Sequence, residues 1–309
     1  MPNTFVSSTA FGKALDEKFI IESKSAFLLD TSMDVQFRGN GKITLTDEEL
    51  TGLGDFLEKY PEGEVTLTQT DYTLTQDRSA KFKLDDTKIR HTGINNYAPG
   101  LCGRFVKKMV APEVDAYMFS KGYQVAKVAG NVENGANADA FHNKSFSILR
   151  SLINSCEDIV GDGEQLVALM DGNFSADLFA TSEINRRIDI SNFKKGNIDT
   201  KVKTIDGCGL IKVPSLRMKT AYEFGTGWNN GETETNFGFK AAADAVNLGC
   251  LVLPKSGALR LIKELEKTKY FSPETDDDGD NHRILYHILY DGIVKKSAAN
   301  TIFAYTYGK

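Results

Sequence analysis

Four cysteines and four histidines are the first residues in this chain to test for chemistry. Cys102, Cys156, Cys208 and Cys250 stand about fifty residues apart with no CxxC pair, so the close spacing of a cysteine metal site is missing. Their neighbours are small or apolar, as around Leu101 and Gly103 or Gly249 and Leu251. That setting suits buried, reduced thiols and a reducing cytoplasm. His91, His142, His282 and His287 form neither HExxH nor HxH. His282 and His287 are five apart in a segment rich in branched and aromatic residues. On a strand that spacing sends them to opposite faces.

The glycine-bearing turns fail as phosphate cradles. Gly39-Asn40-Gly41-Lys42 has the tail of a phosphate-binding loop. The full pattern also needs glycine at 36 and Ser or Thr at 43, where the chain has Gln36 and Ile43. Gly225-Thr226-Gly227 has no further glycine opening a helix, so it is no dinucleotide fingerprint. The acidic run Glu274 to Asp280 puts Gly279 in the sixth place of a calcium loop. Its twelfth place is Leu285, which cannot supply the bidentate carboxylate. A solvated acidic loop is expected there, with a weak cation site as the alternative. Asp85-Asp86 and Glu48-Glu49 read as surface or turn groups. Lys107-Lys108 reads as a solvated helix face, the alternatives being a phosphate backbone or an acidic neighbour. No catalytic, cofactor-binding or metal residue is assigned, no cofactor is implied, and no reaction emerges.

The bulk of the chain is that of an ordinary globular protein. Of 309 residues, 41% are hydrophobic and 26% charged, with a formal net charge of -5. A protein built to grip nucleic acid carries a basic excess, so any DNA contact here should be local and weak. Met1 to Phe19 lacks the basic-then-apolar layout of a signal peptide, and no apolar run reaches membrane-spanning length.

The pattern along the chain sets out the elements that would carry function. Residues 1–36 read as an extended or weakly helical arm. After the Gly39–Gly41 turn, Ile43 and Leu45 alternate in a short strand. Gly52, Gly54 and Pro61-Glu62-Gly63 mark a loop from Asp47 to Tyr60, with room for a helical turn. From Glu64 to Asp85 the sequence is strand-like, with Ala80, Phe82 and Leu84 in clean alternation. Together these form a long hairpin with its tip around 48–63. Asn96 to Gly130 reads as a long helix with Leu101, Phe105 and Met109 on its apolar face. Pro112 should kink or restart it, and Glu113 and Asp115 then favour the new first turn. Residues 131–139 read as a linker and 140–159 as a second helix. A strand follows at 166–170, helix at 175–185, then strands at 208–213 and 250–254. The segment after Pro254, with Leu259, Leu261, Ile262 and Leu265, reads as a helix. The aromatic tail 283–307 reads as strands.

Three stretches carry a resemblance. They are Gly63 to Arg78 followed by Phe82 to Asp86, Arg104 to Phe119, and Ile211 to Tyr222. In type, order and spacing they resemble major capsid proteins of tailed double-stranded DNA bacteriophages. The region from Leu251 to Tyr290 is similar to that family's C-terminal part, so the resemblance spans about residues 20–305. It implies an α+β chain with the Hong Kong 97-type capsid fold. On that scheme 1–36 is an N-terminal arm and 37–72 an extended loop. A peripheral domain with a spine helix takes 73–130, and an axial domain takes 131–264. Returning peripheral strands and a C-terminal strand take 265–309.

The implied function is structural, not enzymatic. The chain would self-assemble into hexamers and pentamers of an icosahedral head enclosing phage double-stranded DNA. It would be made in the host bacterial cytoplasm and end in the virion capsid. Its implied partners are itself, a separate scaffolding protein, a portal protein, weakly touched packaged DNA and, as a further candidate, a decoration protein. No membrane is implied. Some members of this fold join subunits through a lysine and an asparagine. Lys59 lies near the loop tip, but nothing singles out its partner, and no crosslink is expected. The alternatives are an encapsulin-like nanocompartment shell of the same fold, or a cytoplasmic enzyme or binding module.

Overall fold

A computed structural model describes residues 15–29, 35–39, 41–52, 63–92, 97–161, 163–181, 189–195, 198–227, 237–255, 258–272 and 280–308. The described residues begin with helix α1 over residues 15–22 and a 3-10 turn, Ala26–Leu28. Next comes a three-stranded antiparallel ribbon of β1 (Val35–Gly39), β2 (Lys42–Leu50) and β3 (Val65–Thr73). Gly39 and Gly41 take φ of +80° and +71°, the left-handed region that a tight hairpin demands and glycine tolerates. The loop expected from Asp47 starts later than the sequence indicates. β2 continues to Leu50, paired with Val65, because ladder hydrogen bonds to β3 outweigh the weak strand preference of Asp47 and the two glutamates after it. The expected helical turn and Lys59 lie outside the described residues.

The strand-like run from 64 to 85 divides between two sheets. After Leu74 and Thr75 the chain enters β4 (Gln76–Asp85), which leaves the ribbon. Its alternation has one face half-buried and one exposed. Two short helices follow, α2 (Asp86–Thr92) and α3 (Tyr97–Phe105). A π-helical turn, Val106–Val110, then joins α3 without a break to α4 (Ala111–Ala129). The long helix expected from 96 to 130 therefore runs from Tyr97 to Ala129 among the described residues, and Pro112 neither ends nor restarts it. Proline lacks an N–H, and its ring presses on the carbonyl four residues earlier. The wider π turn before it relieves both, with the Ala111 N–H reaching back five residues to Val106. The turn also moves the buried stripe by one residue. Cys102, Val106, Val110, Val114 and Met118 face the core, whereas Met109, expected on that face, is exposed. Gly130, at φ +79°, caps the C-terminus.

The rest of the chain builds a larger sheet. The expected linker contains β5 (Val132–Gly135), and α5 (Ser145–Val160) buries Phe146, Leu149, Leu152 and Ile153 as its periodicity predicts. β6 (Leu166–Met170) leads through Asp171 into α6 (Gly172–Ala180). That helix starts three residues early because the Asp171 carboxylate caps the Phe174 N–H at 2.7 Å. The remaining strands are β7 (Asp189–Lys195), β8 (Ile198–Ile205), β9 (Cys208–Lys212), β10 (Tyr222–Phe224), β11 (Phe239–Ala241), β12 (Asn247–Pro254), β13 (Leu259–Phe271), β14 (Asn281–Val294) and β15 (Phe303–Tyr307).

The helix expected after Pro254 is instead the strand β13, and the boundary drawn at 264/265 falls inside it. Both faces of its first half are covered. Leu259 and Leu261 enter the main core, while Ile262 packs with Ile43, Leu45 and Ile293 under the ribbon. A bulge between Lys263 and Leu265 then shifts the alternation. A doubly buried strand with a bulge gives apolar residues the spacing of a helix.

Seven strands in the order β5-β15-β12-β6-β9-β8-β7 form the large sheet. β13-β14-β4 form a second sheet, and β10-β11 a small hairpin. β5 joins the large sheet by pairing in parallel with β15, which places in a sheet the segment read as a linker. Val167, Leu169, Leu251 and Leu253 face α4 in one core. Leu166, Ala168, Met170 and Val252 face α5 and α6 in another. α4 also packs on the second sheet through Met118 and Tyr117, against Tyr290 and its neighbours. The long helix thus joins both sheets, and it approaches so closely at Gly122 that a Cβ there would meet Leu251 at 3.1 Å.

Candidate assembly surfaces

Among the described side chains, the ribbon's core lies at its base. Ile43, Leu45 and Leu74 pack with Ile262 and Ile293 there. Further out, β3 is exposed along most of its length. Val65 and Leu67, two residues apart and so on one face, are 61% and 60% exposed. Because β1 pairs with β2 only as far as Leu45, the outer ribbon is two-stranded with both edges unpaired among the described residues. Such a ribbon is marginal alone and is a ready template for another chain. One polar relay stiffens its base. Arg38 Nε donates to Thr44 Oγ1 at 2.6 Å, and Thr44 Oγ1 donates to Asp71 across the ladder at 2.6 Å.

The arm is held by a buried carboxylate. Asp115, in the early turns of α4, is fully buried. It accepts hydrogen bonds from Ser23 Oγ, the Lys24 and Ser25 backbone N–H groups and Ser25 Oγ, at 2.7 to 3.0 Å. Arg217, from the turn before β10, adds a charged contact at 2.8 Å. Leu29 then bridges to Leu261 on the β13 edge. The sequence placed Asp115 only as a favourable charge near a helix start. The fold spends it on the arm, while Glu113 pairs with Arg78 at 2.6 Å.

A second node ties the ribbon to the long helix. Asp291 on β14 accepts from the Thr75 N–H (3.0 Å) and hydroxyl (2.8 Å), where the chain passes from ribbon to second sheet. It also accepts from Tyr117 Oη and Lys121 Nζ, both at 2.6 Å. Burial alone would push this carboxyl up. The hydrogen bonds from Lys121, Tyr117 and Thr75, with the Lys121 charge, overcome that and hold it below the usual carboxylate range. Its folded value thus lies below its unfolded one. The stability it contributes is complete above an unfolded value of about 3.9 and is lost as pH falls through the lower, folded value. Asp291→Asn should therefore flatten the acid limb of a urea-denaturation series run between pH 2 and 5. An unchanged acid limb would count against this assignment.

Comparison with known proteins separates sequence from shape. No protein-family model matches the chain, and no curated protein matches it. Solved structures do. The head structure of Helicobacter pylori bacteriophage KHP40 superposes with a TM-score of 0.55 at 12% identity, covering 93% of this chain and 91% of that one. The bacteriophage PhiM1 mature capsid matches at 0.53 and 12%, covering 91% and 83%. The capsid of the cyanophage P-SCSP1u matches at 0.53 and 12%, covering 89% and 85%. The chain has the Hong Kong 97-type phage capsid fold.

Within this capsid fold the residues singled out for chemistry are scattered. Three histidines each meet a different aspartate: His142 with Asp177, His282 with Asp86 and His287 with Asp77. His282 shares parity with the buried residues of β14 and His287 does not, so the two occupy opposite faces as expected. All four cysteines are buried and free. Burial pushes the Cys102 thiol up to about 11 and the Cys156 thiol up to about 12. Gly225 accepts from Arg78 through its carbonyl and donates its N–H to the Gly238 carbonyl at 2.8 Å. Lys107 pairs with Glu22 of α1, the acidic neighbour that had been one alternative. Asp85 caps the start of α2 by accepting from the Thr87 N–H at 2.9 Å. Residues 274–279 lie outside the described residues. Among the described residues no cluster of three or more His, Cys, Asp or Glu side chains could hold a metal, and no helix is long and apolar enough to cross a membrane.

Proposed function

We propose that this chain is the major capsid protein of a tailed phage, a shell-building protein rather than an enzyme. Copies of it assemble into hexamers and pentamers of an icosahedral head around double-stranded DNA. The observation that carries this is the outer ribbon, which among the described residues presents unpaired edges and the exposed apolar side chains Val65 and Leu67. A second copy covers it at the cost of no new fold, and closed symmetric assembly repeats that contact at every subunit. The fold shared with the KHP40 and PhiM1 heads supports the same reading. Residues 1–36 act as the arm and 37–72 as the extended loop. Residues 73–130 with β13 and β14 form the peripheral domain, and 131–258 with the C-terminal strand β15 the axial domain. A separate scaffolding protein and a portal act during assembly in the host cytoplasm. The acidic balance suits a wall that contains DNA without clamping it.

Negative-stain electron microscopy of the chain expressed alone tests the proposal. Shells, tubes or capsomers are expected. A strictly monomeric protein at high concentration would refute it. Deleting residues 48–62 should leave a folded, soluble subunit that no longer closes shells, and normal particles from that deletion would remove the ribbon from the assembly contacts.

A further inference from the structure

Helix α1 meets the body of the chain through a charged cluster separate from the Asp115 clamp. Lys263 Nζ on β13 lies 2.7 Å from Glu266 Oε2 and 3.2 Å from Asp16 Oδ1 of α1. Two carboxylates, one from each side of the contact, therefore converge on one ammonium. The other Glu266 oxygen accepts the Tyr286 hydroxyl at 2.8 Å. The Lys263 ammonium also stands 4.6 Å from the ring centre of Phe19, which is fully buried where α1 packs down. Lys263 and Glu266 are each 13% exposed, so water screens them little, while Asp16 is 53% exposed. The groups facing Glu266 are Lys263 from its own strand, Asp16 from α1, Tyr286 from β14 and Cys102 from α3. With both carboxyls ionised, the cluster carries one negative charge more than its lysine can balance.

We propose that Asp16, Lys263 and Glu266 form a proton-responsive strap for the arm, in which a proton taken up between the two carboxyls tightens α1 on β13 and its loss loosens it. The contact lies inside one chain, so the inference does not rest on the shell reading. The sign follows from the surroundings of Glu266. Burial pushes its carboxyl up, Lys263 pulls it down, and the neighbouring Asp16 pushes it up again, leaving it above the usual range. Lifting α1 away removes Asp16 and lets water reach Glu266, which returns its affinity for a proton toward the ordinary value. The docked arm thus binds the proton more tightly than the lifted arm. Docking strengthens as pH falls through the docked value and weakens as pH rises through it. The Asp115 clamp holds residues 23–25 by other bonds, so α1 loosens before the segment that follows it.

Hydrogen exchange on the full-length chain tests the strap. Amides of residues 16–22 are followed between about pH 5 and about pH 8, corrected for the intrinsic exchange rate, with amides of β12 in the large sheet as internal reference. Protection of α1 in the wild type should fall several-fold, roughly tenfold at most, toward the alkaline end. D16N and E266Q should each flatten that slope while leaving β12, which has no part in the cluster, unchanged. The proposal is overturned if wild-type protection is level or rises with pH, or if the slope survives in D16N. Asp16 is half-exposed, so D16N carries the test even should E266Q fail to fold.

Discussion

Asp115→Ala should destabilise the chain by about 3–5 kcal/mol, the range for breaking a buried ion pair by removing one partner. The substitution leaves the Arg217 guanidinium, 17% exposed, without its buried carboxylate. It also strands the hydroxyls and amides of Ser23 to Ser25 inside the fold. Each unsatisfied buried donor adds about 1–3 kcal/mol, although the losses overlap and do not add in full. Urea denaturation gives the magnitude, and limited proteolysis across residues 15–29 shows where it is felt. Asp115→Asn should fall between the wild type and alanine, since its oxygen still accepts from the serines but the charge opposite Arg217 is gone. Loss of less than about 1 kcal/mol in the alanine variant would mean that the arm is held by its apolar contacts, Leu15, Phe19 and Phe27, and not by the carboxylate.

The second large effect is on assembly and leaves the fold untouched. Val65 and Leu67 face outward on the ribbon, so a Val65→Lys, Leu67→Lys double variant should unfold within about 0.5 kcal/mol of the wild type. If a neighbouring copy buries both side chains, the contact loses about 3 kcal/mol, roughly a hundredfold in affinity at each repeat. Because a shell multiplies that loss over every subunit, closed particles should disappear from micrographs and sedimentation profiles at concentrations where the wild type assembles. A double variant that forms shells normally would show that this face of the ribbon is not covered by a neighbour.

The elements with one buried face were legible in the sequence. The α5 stripe, the alternation of β4 and that of β14 from Ile284 to Tyr290 each put apolar residues on a single face at the period of their own backbone, so pattern and structure agree. The Gly39–Gly41 turn was equally legible, because only its backbone geometry demanded those residues. The misreadings share a cause. β13 is buried on two faces and bulged, so its apolar spacing imitates a helix. β5 is polar and short, and becomes a strand only because β15, over 160 residues later, offers it an edge. Met109 left the core when the π turn before Pro112 moved the phase of the long helix.

Surfaces and nodes divide in the same way. By itself the sequence determined that its cysteines and histidines lack CxxC, HExxH and HxH spacing, that the charge is acidic, and that a polar hairpin with little core follows the N-terminal segment. It did so because these properties belong to residue types and short spacings. Only the tertiary structure decided that Asp115 holds the arm, that Asp291 receives the chain between its two sheets, and that Asp16 meets Glu266 across one lysine. Each of those contacts joins residues 90 or more positions apart except the Lys263–Glu266 pair, and a lone carboxylate in sequence looks alike whether it ends in water or in a core. The same holds for the ribbon. Its residues foretold two strands, but which of its faces stays exposed among the described residues depends on where the second sheet and the long helix pack.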